Sequence, residues 1–372
     1  MKSFDYGDEK ISEREIMIAV PSMVIGVAVL TLPRDLASVT SASDGWVAIL
    51  GSGLVAIAII WLLAKLTSGF PNQSFFTFTS TILSKPVAII ISFILAIIWL
   101  NVTAYIVRSI SEVSKQYLFD QTPVEVIGLC FLLVVVYAVS GSRAGLFRLN
   151  MMFLPIILII SFIVSIFNLS LFEPPQLLPM FKTDFNGYLE GLHTGLTSYA
   201  GFIIALFYIG LVENPKNTPK YAAIGMSIPV LMYLMFFILC IGVFGNEVTA
   251  NLVFPTVELA KSVEIPGGFF ERFESVFFVI WIMAIFNTTA MALDIAVLSI
   301  HSIFKKAKKI KVVLLLTPIV YCTSMLPQSL VEVASFGAIV SNAALIFTLL
   351  VGSFLLVIAK VRGVGQVGKK KS

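Results

Sequence analysis

The sequence predicts an all-α membrane protein of ten transmembrane helices, with an inverted five-plus-five, transporter-like fold in which helices 1 and 6 are broken. Three observations carry this expectation. Hydrophobic residues make up 58% of the 372 residues and charged residues 12%, about half the charged share of a soluble domain; mean hydropathy is +0.98. The apolar runs, such as 87–100 and 151–167, are long and lack a polar face. Lipid-exposed backbone must pair within helices or a closed barrel, and barrel strands would alternate where these runs do not. Finally, stretches interrupted by Gly and Pro recur five spans apart, the best sequence pointer to an inverted-repeat architecture.

Ten apolar segments follow along the chain: 15–36, 46–70, 86–118, 123–140, 146–169, 191–211, 221–244, 269–303, 312–326 and 335–361. Crossing about 30 Å of hydrocarbon takes roughly 20 residues. The ninth is the shortest, and the third and eighth are long enough to tilt or project. The expected organisation is a cytoplasmic segment at 1–14, one ten-helix domain at 15–362 and a basic cytoplasmic tail at 363–372. Within the domain the repeats cover about 15–170 and 191–362.

Charge fixes the expected orientation. With alternating spans, nineteen of the 25 Lys and Arg residues fall on the side of both termini. Only Arg34, Arg108, Lys115, Lys182, Lys261 and Arg272 fall on the other. Positive residues favour the cytoplasm, so both termini are expected there. The first fifteen residues are mixed in charge and rich in acids, unlike the basic start of a signal peptide. The net charge of +4 lies in loops and tail, which suits membrane lipid and gives no surface for nucleic acid. Cys130, Cys240 and Cys322 each sit in an apolar run and are expected as buried packing thiols; without CxxC spacing they form neither a disulfide framework nor a metal site. The two histidines, His193 and His301, fall at opposite ends of the spans. There is no Walker loop, dinucleotide fingerprint or metal-ligand cluster, so neither a cofactor nor enzyme chemistry is expected.

Two outer loops are long. Residues 172–190 contain Glu173-Pro174-Pro175, and residues 246–268 contain a mixed stretch at 256–263 between Pro255 and Pro266-Gly267-Gly268. That stretch reads as a surface helix over the outer mouth or as a plain connector.

Span one reads Pro21-Ser22-Met23-Val24-Ile25-Gly26-Val27-Ala28, and span six reads His193-Thr194-Gly195-Leu196-Thr197-Ser198-Tyr199-Ala200-Gly201. Unwinding there would free amides for a carboxylate and carbonyls for an ammonium group at mid-membrane. The competing reading is close helix packing at small residues. Span three adds Asn101, Thr103 and Tyr105, with Ile98 and Val102 a turn apart; span eight adds Asn287, Thr288 and Thr289. Some of these fit plain interhelical hydrogen bonding, Thr103 and Thr289 first. Arg108 and Glu112, four residues apart, form a structural pair. Asp294, in the inner part of span eight, is the candidate gate or ion contact.

Several pieces carry a family resemblance: Gly26 with Leu30-Thr31-Leu32-Pro33-Arg34, Asp44-Gly45-Trp46, Arg108, Thr122-Pro123, and Glu271-Arg272-Phe273-Glu274-Ser275 with Trp281. Their order and spacing resemble the B subunit of the spore nutrient-germinant receptor, over nearly the whole chain. This is the endospore germination permease family, within the amino acid/polyamine/organocation superfamily. The resemblance implies a place in the spore inner membrane, an A subunit and a lipoprotein C subunit as partners, and a nutrient such as an amino acid or sugar as ligand. It implies a pocket of helices 1, 3, 6 and 8, and on matching positions Gly26, Ile98, Val102, Ala200 and Asn287 or Thr288. Depth and polarity add Ser22, Asn101, Ser198, Tyr199 and Gly201.

Two other functions remain open on the sequence. An ion-coupled amino acid or amine permease would need an ion site, for which Thr288 and Thr289 with carbonyls near Gly26 are available; residues 151–167, where a proton-coupled relative often carries a Lys, hold no charge. A channel subunit would need an acidic filter, and no such ring is apparent.

Overall fold

The computed structural model describes residues 11–263, 273–304 and 306–365. The N-terminal segment up to residue 10, Pro266-Gly267-Gly268 with Glu271-Arg272, and the tail lysines from 369 on lie outside the described residues. Among the described residues the chain is helical, apart from one isolated bridge.

Span one is a bent pair, α1 (Glu13–Val24) and α2 (Ala28–Ala37). Spans two to five are α3 (Gly45–Thr67), α5 (Lys85–Tyr117), α6 (Val124–Ser140) and α7 (Arg143–Asn168), with the short α4 (Phe75–Ile82) between the first two. Span six is again broken, into α8 (Phe185–Ser198) and α9 (Ile204–Tyr208), joined by a 3₁₀ turn at Ala200–Ile203. Spans seven to ten are α10 (Thr218–Asn251), α12 (Phe273–Ile303), α13 (Lys309–Ser324) and α14 (Leu330–Arg362), with the short α11 (Pro255–Lys261) after α10. All ten expected segments appear. Six are long and apolar enough to cross a membrane as single helices, and the two bent pairs turn by 55° and 47°. Spans four and nine, at 17 and 16 residues, are the short ones. The fold is transporter-like, with spans one and six interrupted as expected.

Local chemistry sets the ends. Ser12 and Glu15 form a capping box that starts α1, with Glu15 Oε2 accepting from Ser12 N at 2.6 Å. Pro86 sits in the first turn of α5, where a missing N–H costs nothing. Ser329 caps α14 and so begins it five residues before the apolar run does. The near face, where α1 begins, also joins the two broken spans: Ile11 N donates to Leu211 O and Glu213 N to Ile11 O, both at 3.2 Å.

The stretch after Pro255 is the surface helix rather than the connector. Thr256, on α11, donates its hydroxyl to Val29 O of α2 at 2.7 Å, so α11 closes over span one at the far face. Two expectations are corrected. Only Cys240 is buried; Cys130 and Cys322 are exposed, because a lipid-facing surface is as apolar as a core. Thr103 and Thr289 do not bond between helices; their hydroxyls go to Trp99 O and Ile285 O of their own helices.

At the far face, the fully buried Asp44 carboxylate accepts the backbone amides of Phe181, Lys182 and Thr183 at 2.5, 2.7 and 2.8 Å. This clasp pins the loop after span five to the start of α3. Burial pushes the Asp44 carboxyl up, but the three amides outweigh it and hold it below the usual 3.8. A carboxyl depressed in the folded state contributes fully above its unfolded value and fades only as pH falls through the lower, folded value. The three amides are therefore expected to keep their hydrogen-exchange protection from pH 7 down to about pH 4.5. In Asp44→Ala the same amides should lose roughly 100-fold protection, for bonds together worth about 3 kcal/mol.

Candidate functional site

The break in span one falls after Val24, three residues beyond Pro21, which lies inside α1. Pro21 gives no N–H to Met17 O, one turn before the break; Ile25 N still makes the regular bond to Pro21 O at 2.7 Å, and the helix ends where Gly26 N turns back to Val24 O at 2.9 Å. Regular bonding resumes in α2 without a side-chain cap at Val27. The carbonyls at the end of α1 are taken by side chains from other spans. Thr288 donates to Ser22 O at 2.9 Å and reaches Ile25 O at 3.5 Å. Tyr233 donates to Val24 O at 2.8 Å.

The two breaks pack face to face. A Cβ on Gly201 would stand 2.8 Å from Val24 Cγ2, and one on Gly26 would stand 2.7 Å from Thr288 Oγ1. Only glycine allows this approach. Above the breaks lies a cavity of about 770 Å³ that opens toward the far face, within the range of small-molecule sites. Its floor is Met23, Val24, Gly26, Ala200, Gly201 and Thr288; Trp99, Val102 and Ile106 of α5 form one wall. Its mouth holds His193, the Arg34–Asp35 ion pair at 2.9 Å, and Glu112, which meets the buried Arg108 at 2.6 Å.

Of the residues singled out in the sequence, Gly26, Val102, Ser198, Ala200, Gly201 and Thr288 line this cavity. The others lie elsewhere. Ser22 sits one layer behind the floor, its hydroxyl on Ile18 O at 2.9 Å. Ile98 packs against the hydrophobic core. Asn101 bonds Ile97 O at 2.8 Å and faces a separate groove between α5, α12 and α13. Tyr199 is buried against Tyr233, with ring centroids 5.3 Å apart. Asn287 is fully buried, with neither amide atom paired among the described residues. It lies on the stripe of α12 that carries Met291 and Asp294, four and seven residues on, toward α7.

Asp294 closes the near face. Its carboxylate meets Arg143 Nε at 3.2 Å, Lys309 Nζ at 3.3 Å and the hydroxyl of Tyr208 at 2.9 Å. Spans five, six, eight and nine are thereby tied together below the cavity floor. One wall was missed in the sequence: α14 contributes Gly337, Ala338, Ser341 and Asn342. That run of small and polar residues resembles the stretches of spans one and six, and is the signal that would have found it.

The lining has both polar and apolar parts. Val27 and Ala28, at the start of α2 and so at the partially positive end of a helix, line the cavity. The carbonyls of Ser22 and Val24 beside them are already taken by Thr288 and Tyr233, and the α5 wall is apolar.

A family model described as spore germination protein matches residues 10–333. This chain belongs to the spore germination protein family. It is 41% identical to spore germination protein GerLB of Bacillus cereus, over 97% of both chains. It is 30% identical to spore germination protein YndE of Bacillus subtilis, over 96% of this chain and 98% of that one. Among solved structures, MhsT in complex with L-phenylalanine superposes with a TM-score of 0.73 at 16% identity, covering 95% of this chain and 89% of that chain. Mhp1, a nucleobase-cation-symport-1 family transporter with bromovinylhydantoin bound, gives 0.64 at 12% identity, covering 91% and 76%. At such identities the likeness is one of fold, and the fold of this spore germination protein is that of a transporter.

Two substitutions separate the buried polar groups. Asp294→Ala leaves two cations without their carboxylate and is expected to cost about 3–5 kcal/mol. Asn287→Leu removes an unpaired buried amide at similar volume and is expected to stabilise by about 1 kcal/mol. Thermal midpoints in one detergent, lowered in the first variant and raised in the second, check both.

Proposed function

We propose that this chain is the nutrient-sensing membrane subunit of a spore germinant receptor. A small germinant, an amino acid or similar zwitterion, binds at mid-membrane between spans one, three, six and eight, and A and C subunits read out the change. The chain sits in the spore inner membrane with its near face, and both termini, in the cytoplasm. The single observation that carries this reading is the meeting of two broken helices, backbone to backbone, at the floor of one open cavity. A ligand there touches both bends at once. Binding shifts an equilibrium only by the difference in affinity for its two states, and moving it from 1:99 to 99:1 takes about 10⁴-fold. Contacts to two breaks, where spans bend by 55° and 47°, are a direct source of such a difference.

A second reading, an ion-coupled amino acid or amine permease, is favoured by one feature. The carbonyls of Ser22 and Ile25 and the hydroxyl of Thr288 converge within 2.9–3.5 Å, forming an oxygen cluster at the break. Uptake by vesicles containing only this chain separates the two. Sensing predicts no ion-driven accumulation of labelled amino acid; accumulation that follows an ion gradient would establish the permease.

Gly26→Val tests the site itself. Its new side chain must displace Thr288, whose Oγ1 is 2.7 Å from the Cβ position. Normal membrane insertion is expected, with nutrient sensitivity in a germination assay reduced by about tenfold or more for a loss near 1.4 kcal/mol. An unchanged response would remove span one from the pocket.

A further inference from the structure

A wall that faces lipid has no hydrophobic drive to close its own concavities, since the solvent is as apolar as the wall. One such concavity, of about 320 Å³, lies between α5, α12 and α13. It is bounded by Phe93, Ala96 and Ile97 of α5, Ile300 of α12, and Leu316 and Ile319 of α13. Phe93, Ile97 and Ile319 are about half exposed. The one amide on the rim, Asn101, is turned onto its own helix at Ile97 O. Left empty, the cleft would forfeit dispersion contacts on both walls, and it is too apolar to hold water. A hydrocarbon chain fits it.

The near-face end of the groove is basic. Lys309 precedes Leu316 by seven residues, two turns along the same stripe of α13, and Lys85 precedes Phe93 by eight on α5. Two turns span about 10 Å, which sets a headgroup beside the lysines above a chain entering at Leu316. Lys85 and Lys308 are exposed, and neither pairs with a carboxylate among the described residues. The first turn of α13 holds no acidic residue. The helix is also short. Its 16 residues reach about 24 Å against about 30 Å of hydrocarbon, which draws its basic end and the headgroups together. Lysine stems lie along apolar surface with their ammonium groups at the interface.

We infer that this groove holds an acyl chain of an anionic phospholipid, with its phosphate between Lys85 and Lys308. Lys309, on the same stripe, is spent elsewhere: Nζ lies 3.3 Å from Asp294 and 3.1 Å from Gly141 O.

The test is native mass spectrometry on the full chain in mild detergent, titrated with phosphatidylglycerol or phosphatidylcholine of equal chain length. One phosphatidylglycerol should be retained about tenfold more tightly, from two lysines near the headgroup. Lys85→Gln with Lys308→Gln should erase that preference with Tm in phosphatidylcholine unchanged. Ile319→Trp, which fills the groove from an exposed position, should weaken retention of both lipids. Glycerol phosphate, which has no acyl chain, should not displace the bound lipid; displacement would mark a free-phosphate site and overturn the proposal. Equal retention of the two lipids, or a preference that survives the lysine changes, overturns it as well. A photocrosslinker at position 319 in native membranes should capture lipid. Capture of a partner polypeptide instead would make the groove a seat for another protein's helix, and the lipid proposal would fail.

Discussion

Everything in this fold depends on one constraint: a backbone polar group in hydrocarbon has no water to bond, so it must find a partner inside the protein. Seven spans meet the constraint by running as regular helices, and span seven does so up to a kink at Gly245. Spans one and six break it at mid-depth, and there the neighbouring spans supply what the helix gives up. Thr288 of span eight and Tyr233 of span seven take the carbonyls of Ser22 and Val24. These hydroxyls fix the bend of α1 from two sides. The α2 side receives no side-chain cap at Val27, and it is this side that faces the cavity. The free polarity of the break is thus directed to one place.

The two faces of the molecule are built differently. At the near face, Asp294 gathers Arg143, Lys309 and Tyr208, and the Ile11 bridge ties the start of span one to the end of span six. At the far face the charges pair within single helices, Arg34 with Asp35 and Arg108 with Glu112, and leave the mouth between them open. Ion pairs that link four spans resist their separation; pairs within one helix do not. The mouth is accordingly flanked by ion pairs that stay within single helices, while the bonds that cross between elements at this face, from Asp44 and α11, lie to its sides.

Depth along each span was legible in the sequence, whereas direction around it was not. Long apolar runs gave all ten segments, and the Gly and Pro interruptions gave both breaks. Around a helix the usual guide is a polar stripe opposite an apolar one, but lipid and core are equally apolar and the stripe vanishes. Cys130 and Cys322 therefore read as core and face outward. Asn287 and Thr288 read as alternatives at one depth; a turn of 100° between neighbours puts Thr288 on the cavity floor and Asn287 toward α7. The α14 wall was missed for the same reason. Its small residues could equally have packed against a neighbouring helix.

The position of Thr288 links these points. Its hydroxyl holds the end of α1, and its side chain stands where any substituent on Gly26 would go. The next turn of the same helix carries Met291, whose carbonyl and sulfur face Tyr208 and Asn150, and then Asp294 at the near-face cluster. A single rigid helix thus touches the floor of the cavity at one level and the closure of the opposite face about 9 Å below it. With the cluster made, a shift of α12 at Thr288 must strain bonds to three other spans. Movement at the breaks and opening at the near face are therefore coupled through the stiffness of α12, and no separate relay is needed between them.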